Sequence, residues 1–165
     1  MEMEKMTVLK EGVSSQEDMQ AWLSQLSDPE FPVSRSGLLT LLKPQFVSCD
    51  WEQKKAVFAF DVKEWELNPE GGLHGGIIVT GFDISCGLLC HYFAKQHMVS
   101  TVNITTAFLK PIRPDDRVLY HIQITSLGHT LVSLTAEARL ERENILAATA
   151  TATFMILHKT FSEPI

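Results

Sequence analysis

"NPEGGLHGGIIVTGFD" occupies residues 68–83, and its reading decides the fold. From Gly75 to Leu89 nearly every residue is apolar or small, and no polar face is visible. A helix apolar all round is expected to be buried on all sides, so a central helix is predicted from about Gly76 to Gln96. Asp83 lies in its middle, among Ile77, Ile78, Val79, Phe82 and Ile84. An isolated ionised carboxylate is costly in such surroundings. Taken alone it leaves two readings open. One is a structural acid satisfied by nearby hydroxyls, with Thr80 or Ser85 as candidates; the other is a catalytic base or nucleophile in a mostly dry cleft.

The glycines favour the second reading. Gly71, Gly72, Gly75 and Gly76 let backbone approach a ligand closely. They stand just before a helix N-terminus, where free N–H groups and the helix dipole favour developing negative charge, such as a carbonyl becoming an oxyanion. Gly75 and Asp83 are eight residues apart, roughly 12 Å along a helix at ~1.5 Å per residue. That is too far for one chain to bring both to one carbonyl. If both serve one reaction, the site is shared across a dimer interface.

Working outward, the helix is flanked by strands. "QFVSCDW" and "KAVFAFDV" read as two strands around a turn near Glu52 and Gln53. After the helix come "STVNITTAFLK", "RVLYHIQITSL", "TLVSLTAEARLE" and "ILAATATATFMIL", rich in β-branched residues. Turns are expected at Pro111–Asp116, Gly128-His129 and Glu143-Asn144. The order gives an α+β class, an antiparallel sheet wrapped around one long helix. Upstream, "SSQEDMQAWLSQLSD" reads as an amphipathic helix capped by Ser14 or Ser15, with Met19, Trp22, Leu23 and Leu26 on a docked face and Pro29 and Pro32 stopping it. "SGLLTLLKP" reads as a further helical turn ending before Pro44. The expected organisation is a helical lead-in over 1–43, the main domain over 44–157 and a tail over 158–165.

The 165 residues suffice for one domain, and 45% apolar with 21% charged residues is ordinary globular composition. A net charge of −6 with scattered basic residues argues against nucleic-acid binding. Cys49, Cys86 and Cys90 are an odd count without a framework spacing, so reduced thiols in a cytosol are expected. The N-terminus has no signal-peptide core, and the apolar run falls short of a membrane span; a cytoplasmic protein without a membrane partner is expected. Cys86 and Cys90, with His91 and His97 nearby, are read as small core residues rather than a zinc site. There is no GxSxG elbow, and "GGLHGG" spells neither a phosphate loop nor GxGxxG. His121, His129 and His158 stand isolated and receive no role.

Asn68 followed by His74-Gly75-Gly76, with Asp83 nine residues after the histidine, resembles the hotdog-fold acyl-CoA thioesterases of the phenylacetate-degradation type. "TVNITTAFLKPIRPDD" and the closing "AATATATFMI" are similar to that family as well, and the resemblance covers about Leu42 to Leu157. It implies a curved antiparallel sheet around a long helix, in homodimers that often pair into tetramers. It implies Asp83 as base or nucleophile at the thioester carbon, and the Gly75 N–H as the group that polarises the thioester oxygen. Asn68 would orient the reacting group or its water, and His74, beside Gly76, would shape the loop. Thr101 falls where a hydroxyl assists the acid in some members. Lys110 and Arg113, flanking Pro111, are candidate contacts for the phosphates of coenzyme A, with solvated turn charges as the alternative. No metal or redox cofactor is implied. Two departures stand out: Gly128 is followed by His129 where members often carry a basic residue, and Gly87 offers no side chain where some have a polar one. The rival reading is a non-catalytic acyl-CoA binding or sensing module on the same fold. A hydratase needs a His/acid pattern that the chain does not show.

Overall fold

The computed structural model describes residues 14–25, 37–95 and 97–160, with side chains to residue 157. Helices α1 (Gln16–Ser24) and α2 (Gly37–Leu42) lead into strands β1 (Gln45–Asp50) and β2 (Lys55–Asp61). A 3-10 turn, Glu64–Glu66, and the glycine-rich loop precede helix α3 (Gly75–Ala94). Strands β3 (His97–Phe108), β4 (Arg117–Leu127), β5 (Leu131–Leu140) and β6 (Ile145–Thr160) complete the chain. The six strands form one antiparallel sheet in the order β1-β2-β4-β5-β6-β3. The α+β reading holds, and the strands fall within a few residues of their expected bounds. Leu26, Pro29, Pro32 and Gln96 lie outside the described residues.

Helix α3 packs across β2 to β6. Alternation does the sorting along β4, where Val118, Tyr120, Ile122 and Ile124 face the helix and are buried. Phe82, Cys86, Leu89 and Cys90 meet them from α3, all at 0% exposure. Gly81 is a notch in this packing: a Cβ there would stand 2.3 Å from the Tyr120 ring and hydroxyl. The bare glycine lets Tyr120 lie edge-on against both Phe60 and Phe82 and donate its hydroxyl to the Ile78 carbonyl at 3.3 Å. Burial pushes the Tyr120 phenol well above its ordinary range.

Two expectations about α3 need correcting. It is not buried on all sides of the single chain. Gly76 is exposed, and Thr80, Asp83, Ile84, Gly87 and His91 are only partly covered, which leaves one open strip along the helix. Nor does it fall short of a span: at 20 residues it is long and apolar enough to cross a bilayer by length and composition. Its apolar side chains are instead largely spent on the sheet. Glycines and a lone acid lower apparent apolarity without shortening a helix.

The lead-in helix is docked, as its spacing predicts. Ser15 caps α1 by accepting from the Asp18 N–H, and Met19 and Leu23 are fully buried, about 1.5–3 kcal/mol each. Asp18 accepts from the Tyr92 hydroxyl of α3 at 3.0 Å. Gln16 reaches the outer edge of the sheet, where its Oε1 accepts from the Trp51 N–H at 2.8 Å and its Nε2 donates to the Cys49 carbonyl at 3.0 Å. The opposite edge is β3, exposed over most of its length.

Candidate active site

Two groups of side chains gather at α3. The first lies on its open strip. Asp83 is partly covered, and its Oδ1 accepts from the Thr101 hydroxyl of β3 at 2.6 Å. Of the partners offered by sequence, neither is used. The Thr80 hydroxyl donates to the Gly76 carbonyl one turn back. Ser85, two residues and about 200° around the helix, is fully buried with its hydroxyl unpartnered. Side chains one turn apart find the backbone more readily than each other, so the acid is held across elements.

The second group is the loop before the helix. Asn68 turns it: its Oδ1 accepts from the N–H groups of Glu70 and Gly72 at 3.1 and 3.0 Å, and its N–H donates to the Gly72 carbonyl. Gly71 has φ +77°, a conformation side chains disfavour. The Asn68 Nδ2 has no acceptor among the described residues and is the part of the side chain left to meet another group. His74 is the N-cap of α3. Its Nδ1 accepts from the Gly76 N–H at 2.9 Å, and its carbonyl accepts from Ile77 and Ile78. This loop-shaping geometry leaves Gly76 little choice, since a Cβ there would sit 3.1 Å from the imidazole.

These bonds consume the donors around the helix start one by one. The His74 N–H goes to the Glu66 carbonyl, Gly76 to His74, and Ile77 and Ile78 to His74 again. The Gly75 N–H alone has no acceptor among the described residues. It points out of a helix N-terminus, with the partial positive charge such ends carry. The Phe108 ring stands over Gly75, 3.4 Å from where a Cβ would be.

Lys110 and Arg113 sit on the turn that borders this loop. Ile112 between them is buried, and its carbonyl accepts from the Leu73 N–H at 2.8 Å. Both cations are exposed, and neither side chain is engaged among the described residues. The structure thus gathers Asn68, His74, Gly75 and Gly76 with the Lys110–Arg113 turn at one end of α3. Asp83 and Thr101 lie further along it.

The other candidates resolve as packing. Burial pushes the Cys90 thiol up to about 12 and that of Cys86 higher still, the opposite of a metal-ready thiolate. Among the described residues no group of three His, Cys, Asp or Glu side chains could hold a metal ion. Gly128 closes the β4–β5 turn, with its N–H on the Leu131 carbonyl and no room for a Cβ.

Two participants escaped the sequence reading: Phe108, and Glu66, which is 3% exposed. The Glu66 Oε2 accepts the Lys63 N–H at 3.0 Å, half of a capping box, but a lysine at the cap position cannot accept in return and so leaves no such signature in the sequence.

Residues 70–147 match the model of the thioesterase superfamily. A Pseudomonas aeruginosa protein that is named as an esterase is 32% identical over 126 residues, 74% of this chain and 91% of that protein. The chain belongs to the thioesterase superfamily. As a thioesterase it is a thioester hydrolase on the hotdog fold. Its fold matches the PaaI protein of the E. coli phenylacetic acid degradation operon with TM-score 0.70, at 18% identity over 84% of this chain and 98% of that one. A Streptococcus mutans protein, smu.793, solved bound to acetyl CoA, matches with TM-score 0.63 at 22% identity over 71% and 90%. The thioesterase match contains His74, Gly75, Asp83 and Thr101, and begins two residues after Asn68.

Proposed function

We propose that this thioesterase hydrolyses acyl-CoA thioesters in a site shared between two copies of the chain, with Asp83 from one and Gly75 and Asn68 from the other. The observation that carries the reading is the separation of complementary halves on one helix. A carboxylate held by Thr101 lies on the open strip, and one uncommitted N–H lies eight residues away, roughly 12 Å along the axis. A second copy paired through the exposed β3 edge would bring the missing half to each.

In the bound state the Gly75 N–H donates to the thioester oxygen and stabilises the charge that grows there. Asp83 then acts in one of two ways. As a base it takes a proton from water as the water oxygen bonds to the carbonyl carbon; the C–S bond breaks and coenzyme A leaves as the thiol once protonated. As a nucleophile its oxygen forms a mixed anhydride and expels the thiolate, and water then opens the anhydride to the free acid. The free Nδ2 of Asn68 orients the acyl oxygen or the water. Lys110 and Arg113, exposed beside the loop, meet coenzyme A phosphates. The acetyl CoA held by the Streptococcus mutans fold relative supports this ligand class.

The deciding experiment is thiol release from short, medium, aromatic and long acyl-CoAs, with parent and Asp83→Asn compared side by side and folding checked in both. Loss of turnover in the variant is expected, with the parent's profile naming the acyl class. Equal rates would remove Asp83 from the chemistry, and saturable binding without turnover in the parent would indicate a binding module.

A further inference from the structure

Glu66 is the one carboxylate among the described residues that is almost wholly buried, and it lies outside the chemistry above. Its Oε2 accepts the Lys63 N–H, while Oε1 is buried without a hydrogen-bond partner. A half-satisfied buried carboxyl costs stability, so its presence needs a reason. Its surroundings are the underside of the first turns of α3: Leu42, Phe60, Leu73, Ile77, Gly81 and Tyr120 line a cavity of about 10 Å³ with it. The Tyr120 phenol, raised mainly by burial, is raised further by the nearby Glu66 charge.

The backbone of the same residue gives the reason. The Glu66 carbonyl accepts the His74 N–H at 2.9 Å, and the Glu66 N–H donates to the Lys63 carbonyl at 3.0 Å. The side chain closes the 3-10 turn, and the turn's carbonyl fixes His74 from behind. His74 in turn holds Gly76 with its imidazole and Ile77 and Ile78 with its carbonyl. Gly75 is fixed between these anchors with its N–H pointing outward. We infer that Glu66 is a positioning residue: by locking the Lys63–Glu66 turn onto the His74 N–H it sets the direction of the Gly75 N–H, and so the rate of thioester cleavage. This rests on the proposed role of Gly75.

The test uses the full chain and an acyl-CoA that the parent hydrolyses. Glu66→Asp keeps the charge but is one methylene too short to hold the Lys63 N–H; Glu66→Gln keeps length and an acceptor oxygen. Glu66→Asp is expected to lose on the order of tenfold to a hundredfold in kcat, the scale of a small misplacement of a catalytic group. KM should stay within about twofold, because the donor acts on the transition state. Glu66→Gln should recover most of the rate, and in a Gly75→Pro background Glu66→Asp should cost nothing further. Hydrogen exchange on the parent needs no variant: the His74 amide should be protected and the Gly75 amide fast. Parental kcat in a folded Glu66→Asp, a loss confined to KM, a loss that adds fully to that of Gly75→Pro, or an unprotected His74 amide would each overturn the inference. If Gly75→Pro alone is fully active, the Gly75 reading and the inference fall together. A protected His74 amide would then show that the loop is held but that its direction does not set the rate.

Discussion

Replacing Gly75 with proline removes the N–H from the candidate site and puts ring carbons, with Cδ on the nitrogen itself, in its place. Gly75 is the first residue of α3, where proline is favoured because that N–H has no partner within the helix. His74 before it has φ −62° and ψ 133°, the extended conformation that a residue preceding proline prefers. The added Cβ would meet the Phe108 ring at 3.4 Å, and that ring is 54% exposed, so it can swing aside. Folding stability is therefore expected to stay level or rise by about 0.4–1 kcal/mol through a stiffer unfolded chain. The rate is a different matter. If the Gly75 N–H meets the developing oxyanion, its loss should cost about 2.7–4 kcal/mol of transition-state stabilisation, on the order of a hundredfold to a thousandfold in kcat. Gly75→Ala controls for the Cβ, which it adds while keeping the N–H; it should remain within about threefold of parent. Thiol release on the best acyl-CoA, with thermal unfolding of all three proteins, gives the answer. A folded proline variant that turns over as fast as the alanine variant refutes the role given to this N–H.

Four further outcomes follow from the same geometry. Gly81→Ala drives a methyl group to 2.3 Å from the boxed-in Tyr120 ring and should destabilise by about 1–3 kcal/mol despite better helix propensity. Gly87→Ala meets only Phe154 at 3.6 Å and should stabilise by about 0.5–1 kcal/mol, so urea unfolding that ranks the two the other way contradicts the packing described. His91 is pulled down to about 4 by burial, so between pH 6.5 and 4 the unfolded chain binds a proton that the native chain does not. Its contribution is intact above pH 6.5, is lost progressively as pH falls toward 4, and amounts to on the order of 1–3 kcal/mol. His91→Gln should flatten that part of the stability profile, and an unchanged acid slope would count against it. Finally, mixing inactive Asp83→Asn with inactive Gly75→Pro chains should restore activity, because each mixed dimer holds one site with both parts intact; mixtures as dead as their parents would place the whole site within one chain.

The contrast between Asp83 and Glu66 shows what the sequence could carry. Asp83 draws notice in the sequence because it stands inside an apolar run, where the residues alone leave a structural and a catalytic reading open, and the glycines before it mark where a helix begins. Its partner Thr101 came only through the family resemblance, since spacing along a helix says nothing about which strand lies across from it. Glu66 stands in "EWELN", an alternation of acids and apolar residues that reads as an exposed turn. Its burial is created by Phe60, Leu73 and Tyr120 arriving from elsewhere in the chain. The open strip on α3 was misread for a related reason: apolarity records what surroundings a face prefers, and does not say which part of which chain supplies them. The docked face of α1 was read correctly because Met19 and Leu23 are one turn apart and the pattern is local.

The two edges of the sheet differ in a way that bears on how far the molecule can grow. β1 is six residues long, irregular between Phe46 and Ser48, and met by the Gln16 amide where it would otherwise offer an N–H and a carbonyl. β3 is twelve residues long, and among the described residues no strand pairs its outer margin. Copies joined edge to edge through β3 would present only short, bent, stoppered margins at either end. Such pairing would end at two, in a closed two-fold unit, where a sheet with both margins open would go on adding chains into a fibre. Removing the Gln16 stopper would reopen that path to polymerisation without touching a catalytic atom.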